Sequence, residues 1–136
     1  MECGGWPVRN ETTMPHKKRI KSNRKRLMLR AVQAFNSYIR QRDPACVTCG
    51  SREKPTAGHI LSAWAESTRF DEMNTFRQCA GCNFAHEHHP ERYINWFIGK
   101  YGIEKWDELC ARHWKGKKHT IEELEEIIAK YGKDFS

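Results

Sequence analysis

Cys46-Val-Thr-Cys49-Gly50 and Gln78-Cys79-Ala-Gly-Cys82-Asn83 decide how this 136-residue chain is read. Each stretch holds a Cys-x-x-Cys pair, and the 29 positions 50–78 separate the two pairs. A tight turn between two cysteines points both thiolates at one place, and two such turns supply the ligand set of a closed tetrahedral zinc site. A closed site leaves zinc no open position for substrate. The ion is therefore expected to be structural, tying together the ends of the segment between the pairs, as a domain with a modest core requires. The N-terminus shows no apolar signal core, so the pairs read as metal ligands rather than disulfides. Two further cysteines, Cys3 and Cys110, stand alone. Cys3 is expected to be inert. Cys110 shares a helical face with His113 and is weighed as a second zinc pair against plain packing.

Hydrophobic residues make up 38% of the chain and charged residues 30%, too apolar for a wholly disordered chain and too polar for a membrane protein. No run approaches the roughly 20 apolar residues that span a bilayer, so no membrane partner is expected and the location is expected to be cytoplasmic. The net charge of +7 is unevenly placed. Residues 1–45 hold 11 basic and 3 acidic side chains, and the remainder holds 13 and 14. A basic arm on a nearly neutral body points to a polyanion, above all DNA, with a solvated arm as the plain alternative.

Around the cysteine frame the chain divides into a flexible arm over 1–22 and a single domain over 23–136. In the arm Gly4, Gly5, Pro7 and Pro15 break any periodicity, and Lys17, Lys18, Arg19 and Lys21 follow with little apolar content. Trp6 can dock, stack on a base or simply sit in a mobile tail. Ser22 or Asn23 can cap a helix over 23–43, with Met28, Ala31, Val32, Phe35, Tyr38 and Ile39 on one face and Asp43-Pro44 at its end. Its basic face, with Arg24, Lys25 and Arg26 next to the arm, is expected to lie along phosphates. Within the core segment 44–89, residues 56–62 suit a strand, 63–78 read as irregular, and a short helix is expected from Cys79 through His86. Three helices follow over 90–132. Pro90 suits a first helical position. Ile103, Trp106, Leu109 and Cys110 share a face, and Thr120-Ile-Glu-Glu123 spells a capping box before Leu124, Ile127, Ile128 and Tyr131. The expected fold class is α+β, mainly helical, with the C-terminal aromatics in its core rather than on bases.

His59 lies between the cysteine pairs, Asn74 five residues before Cys79, and Asn83 directly after Cys82. Singly each has an ordinary explanation: a core histidine, a loop asparagine, a capping amide. Together with the cysteines they resemble the HNH, or ββα-metal, nuclease motif. The segments Ala31-Val-Gln-Ala-Phe35, Ala57-Gly-His-Ile60, Thr68-Arg-Phe-Asp-Glu72 and Gln78-Cys-Ala-Gly-Cys-Asn83, with Tyr101-Gly102 and Thr120-Ile-Glu-Glu123, resemble the NinG (Rap) recombination endonucleases of lambdoid phages over about residues 27–132. The Cys-x-x-Cys-Asn ending is also similar to the junction-resolving endonuclease of T-even phages.

The resemblance implies a ββα-metal core with flanking helices and a metal-dependent endonuclease acting on branched DNA such as Holliday junctions and D-loops. In it His59 is the general base, Mg²⁺ or Mn²⁺ is held partly by Asn83, and Asn74 braces the His59 strand. Arg69 is a candidate phosphate clamp, with a structural salt bridge as the alternative. If a phage encodes the chain, the expected cytoplasm is that of a bacterial host, and symmetric cutting of a junction favours a homodimer. The chain departs from the pattern at Gly58, where many HNH nucleases carry an acidic residue or histidine as a second metal ligand. His86, one helical turn after Asn83, is the first substitute, followed by His88 or Glu87. This departure motivates an alternative: a zinc-stabilised DNA-binding or adaptor protein that does not cleave. Another is an HNH enzyme nicking linear duplex.

Overall fold

The computed structural model describes residues 15–132, so the expectations for Cys3, Trp6 and the rest of 1–14 lie outside the described residues. Helix α1 (His16–Arg42) runs for 27 residues. It begins well before the expected caps at Ser22 and Asn23, so positions 16–22 belong to the helix and not to an unfolded arm. The physical reason is local: lysine and arginine are good helix formers, and Pro15 precedes a stretch with no breaker. Leu27, Ala31, Ala34, Phe35 and Ile39 are buried along its inner face. They meet α6 (Ile121–Tyr131) through Leu124, Ile127 and Tyr131. The capping box that opens α6 is formed, with the Glu123 N–H donating to Thr120 Oγ1 at 3.1 Å and the Thr120 N–H to Glu123 Oε1 at 2.9 Å.

Strands β1 (Pro55–His59) and β2 (Thr75–Cys79) pair antiparallel, with Gly58 opposite Phe76 and His59 opposite Thr75. The segment 63–78, expected to be irregular, thus contains β2 and the single-turn helix α2 (Glu66–Arg69). Helix α3 (Ala80–His86) follows β2 without a loop, so a strand, a strand and a helix run in that order. α4 (Glu91–Tyr101) and α5 (Ile103–His113) complete the chain's helices before α6, separated by Gly102, whose φ of +94° ends the α4 turn. Phe76 from β2 packs with Ile60, Tyr93, Phe97 and Leu109 in one core, against Trp96 and Trp106. The expected packing role of these aromatics is what the structure has.

Two polar ties hold the sheet in place. Arg42 grips Asp43 at 2.8 Å and donates to the Thr75 carbonyl at 2.9 Å, while Asp43 Oδ2 accepts the Arg77 N–H at 2.9 Å. This fastens the end of α1 to β2. From α4, the buried Tyr93 hydroxyl donates to the Gly58 carbonyl at 2.6 Å and accepts the Phe76 N–H at 3.1 Å, bridging the two strands. Among the described residues no helix is long and apolar enough to cross a membrane.

Candidate metal centre and active-site cleft

Cys46 and Cys49 stand on the turn after α1, Cys79 ends β2, and Cys82 lies in the first turn of α3. Their sulfurs lie within 4.8 Å of one another, and Cys49 Sγ is 3.7 Å from Cys79 Sγ. The first turn is closed by the Gly50 N–H on the Cys46 carbonyl at 2.8 Å, which Gly50 reaches with φ +83°. The Val47 N–H on Arg77 O and the Ala80 N–H on Lys54 O, both at 2.9 Å, seat the knuckle on the sheet. Thiols this close resist ionising together unless a cation joins them. Burial opposes the Cys46 thiolate, but the Thr48 hydroxyl and backbone N–H groups bring it down to about 6. Burial and the neighbouring sulfurs push Cys82 up to about 12. Among the described residues this is the one group of three or more His, Cys, Asp or Glu side chains placed to hold a metal. Its four sulfurs fit a single tetrahedral ion. Cys110 and His113 gain no third ligand among the described residues, and His113 Nδ1 is engaged with Thr68 Oγ1 at 2.9 Å.

A cleft of about 440 Å³ opens between the end of β1 and α3, lined by His59, Trp64, Asn83, His86 and Glu87 among others. His59 Nε2 lies 2.8 Å from the Arg69 carbonyl. A carbonyl only accepts, so Nε2 carries the proton and Nδ1 keeps its lone pair. Burial holds the imidazole below the ordinary histidine value. The nearby Arg69 guanidinium acts in the same direction, and the carbonyl bond opposes both. Arg69 itself makes no ion pair with a described residue, so the structural salt bridge weighed for it is not what the structure has. Asn74 is fully buried. Its Nδ2 donates to Leu61 O at 2.9 Å and Thr68 O at 3.1 Å, and its Oδ1 accepts the Leu61 N–H at 2.8 Å. It staples the loop beyond His59 and touches no open surface.

His86 shares the cleft, yet its Nε2 is bound to the Ile60 carbonyl at 2.7 Å and its buried Nδ1 has no partner. Glu87, exposed and just past the end of α3, lies on the same cleft four residues after Asn83, one helical turn away. Helical spacing from Asn83 alone puts His86 ahead of it. The backbone bond that immobilises His86 could not be read from spacing alone. His88 is exposed and packs its ring edge-on against Phe84 at 5.5 Å. At Gly58 the missing side chain has a structural cause: an added Cβ would stand 2.1 Å from Gln78 Oε1.

Of the basic residues expected to meet phosphate, Lys17, Lys18, Lys21, Lys25 and Arg26 are exposed on α1, and Arg19 lies half-buried beside His16. Arg24 is otherwise engaged. It binds Glu66 Oε1 at 2.7 Å and donates to the His119 carbonyl at 3.1 Å. That pairing holds α1 to α2 and takes the half-buried Arg24 out of the exposed row.

No solved structure matches the chain. A family model described as Bacteriophage Lambda NinG protein matches residues 9–136. Protein ninG of Escherichia phage 933W is 37% identical over 106 residues, covering 74% of this chain and 52% of that protein. Protein ninG of Salmonella phage P22 is likewise 37% identical, and that of Escherichia phage lambda 36%, over the same shares. The chain therefore spans about half the length of the curated relatives it matches. The cysteine cluster and the His59 cleft both lie inside the matched residues, and the chain belongs to the NinG family.

Proposed function

We propose that this chain is a metal-dependent endonuclease that hydrolyses phosphodiester bonds in branched recombination intermediates of DNA, built on an HNH-type ββα core with one structural zinc. The observation that carries the reading is the cleft in which His59, its Nε2 fixed by the Arg69 carbonyl, stands with Asn83 and Glu87. Fixing Nε2–H on a carbonyl leaves Nδ1 as the base that takes a proton from water. Its depressed proton affinity keeps it neutral and ready at neutral pH. The Asn83 amide oxygen and the Glu87 carboxylate are hard oxygen donors one turn apart and fit Mg²⁺ or Mn²⁺, with the unpartnered Nδ1 of His86 as a further donor. When bound, the divalent ion supplies charge neutralisation at the phosphate and the leaving oxygen. Asn74 acts as a positioning residue, holding the loop that follows His59. Arg69 and the exposed lysines of α1 bind phosphate without reading sequence, so affinity falls steeply with salt. Symmetric cutting of a four-way junction calls for two such sites, and the reading includes a homodimer on DNA.

The test uses end-labelled four-way junction, matched linear duplex and single strand, with Mg²⁺ or Mn²⁺ or neither. Junction cleavage that requires the ion and falls at least about 100-fold in His59→Ala is the expected result. Binding without cleavage under either ion favours the adaptor reading, for which the Gln78 side chain filling the space beside Gly58 is the supporting observation. Equal cutting of duplex favours a nicking enzyme.

A further inference from the structure

We infer that Trp64 lets this chain distinguish branched from linear DNA, by stacking its indole on a base left uncovered at the branch beside the His59 cleft. The inference rests on the nuclease reading above and adds the feature of the substrate that is recognised. Trp64 is 94% exposed and lines the cleft. Lone exposed apolar residues are ordinary. What sets this one apart is where it stands and that the backbone turn presenting it is pinned. The Trp64 N–H donates to Ser62 Oγ at 3.2 Å and the Ala65 N–H to Ser62 O at 3.3 Å, closing a tight turn immediately before α2. Glu66 at the start of α2 is fixed by Arg24, and Arg69 at its end supplies the carbonyl that holds His59. The turn that presents the indole and the ring of the base are thus anchored at opposite ends of one four-residue helix.

Arg69 adds a cation at the far end of that same helix, on the side of His59. Every base has a π-face, so stacking tolerates any sequence. In intact duplex both faces of each base are covered by neighbouring pairs. An uncovered face occurs at branches, and recognition through Trp64 is therefore recognition of structure.

The full chain is titrated, in buffer without Mg²⁺ or Mn²⁺, against a four-way junction and a linear duplex of matched sequence, each carrying 2-aminopurine at the branch or its equivalent. Trp64→Ala is expected to weaken junction binding about tenfold while leaving duplex binding unchanged, and Trp64→Phe to restore most of the loss. Aminopurine emission at the branch is expected to fall on binding of the native chain and not of Trp64→Ala. Equal weakening on junction and duplex, no weakening, or unchanged emission overturns the inference. So does an equal loss in Trp114→Ala, whose indole is 81% exposed but does not line the cleft. A native chain that binds neither DNA overturns the nuclease reading itself, a result distinct from junction binding that Trp64→Ala leaves intact.

Discussion

Gly58→Ala adds one methyl group where the Gln78 side chain already fills the space beside β1. That methyl would lie 2.1 Å from Gln78 Oε1, 2.9 Å from Cδ and 3.1 Å from Cγ. Oε1 ends a flexible side chain, but Gln78 is 1% exposed and has no solvent to swing into. Its Nε2 bond to Thr48 Oγ1 at 3.3 Å is also lost if the amide moves. Overpacking of this kind costs about 1–3 kcal/mol. Alanine returns about 0.4–1 kcal/mol by restricting the unfolded chain. The net expectation is a destabilisation of about 1–2 kcal/mol and a Tm lowered by about 3–10 °C. Gln78→Ala removes all three crowding atoms, so in the double variant the two changes should couple favourably by about 1–2 kcal/mol. Thermal unfolding followed by far-ultraviolet circular dichroism measures the cycle, with free zinc held constant because a bound ion stabilises by mass action. A Gly58→Ala chain as stable as the native one, or strictly additive effects, would refute the claim that Gln78 occupies the space of a side chain at 58. The same crowding explains why this chain carries no acidic residue before His59.

Tyr93→Phe should strand two buried backbone groups, Gly58 O and Phe76 N, at about 1–3 kcal/mol each. A loss of about 2–6 kcal/mol in urea is expected; under about 0.5 kcal/mol would mean that the strands close and pair directly. Cys79→Ser should cost the chain its zinc, read as metal content per chain, while Cys110→Ser keeps one ion; full metal content in Cys79→Ser would rule out the four-cysteine site. For His59 the folded value lies below the ordinary 6.5, so as pH falls the unfolded chain takes up the proton first. Its contribution to stability is complete above about 6.5 and is lost progressively below it. The difference between the stability profiles of the native chain and His59→Gln should therefore open below 6.5, and parallel profiles down to pH 5 would show that the imidazole is not desolvated.

The four-cysteine cluster was legible in the sequence because a Cys-x-x-Cys spacing is a local property, and so was α6, whose capping box and apolar period lie in adjacent residues. Strand β2 was not. Its inward positions hold Phe76 and Gln78, and a buried glutamine conceals the alternation that marks a strand. The first turns of α1 were hidden for the opposite reason. Lysines and arginines there form helix without burying anything, which in sequence looks the same as a solvated arm. The cleft was legible only in its ingredients. His59, Asn74 and His86 stand out in the sequence, but the contacts that fix their side chains join positions 59 and 69, 61 and 74, and 60 and 86. No periodicity encodes those contacts.

α3 buries none of its seven residues. Isolated helices shorter than about 12–15 residues are marginal in water, so neither propensity nor a hydrophobic face accounts for its persistence. It is tied at both ends: the Cys82 N–H donates to Cys79 Sγ at 3.4 Å within the cysteine cluster, and the His86 ring is bound to the Ile60 carbonyl. Asn83 sits between those tethers and Glu87 just beyond them. In order of assembly, the large cores formed by α1 with α6 and by β2 with α4 and α5 can close without any ion. The wall of the cleft that carries Asn83 and Glu87 is thus expected to take shape only when an ion joins the four cysteines.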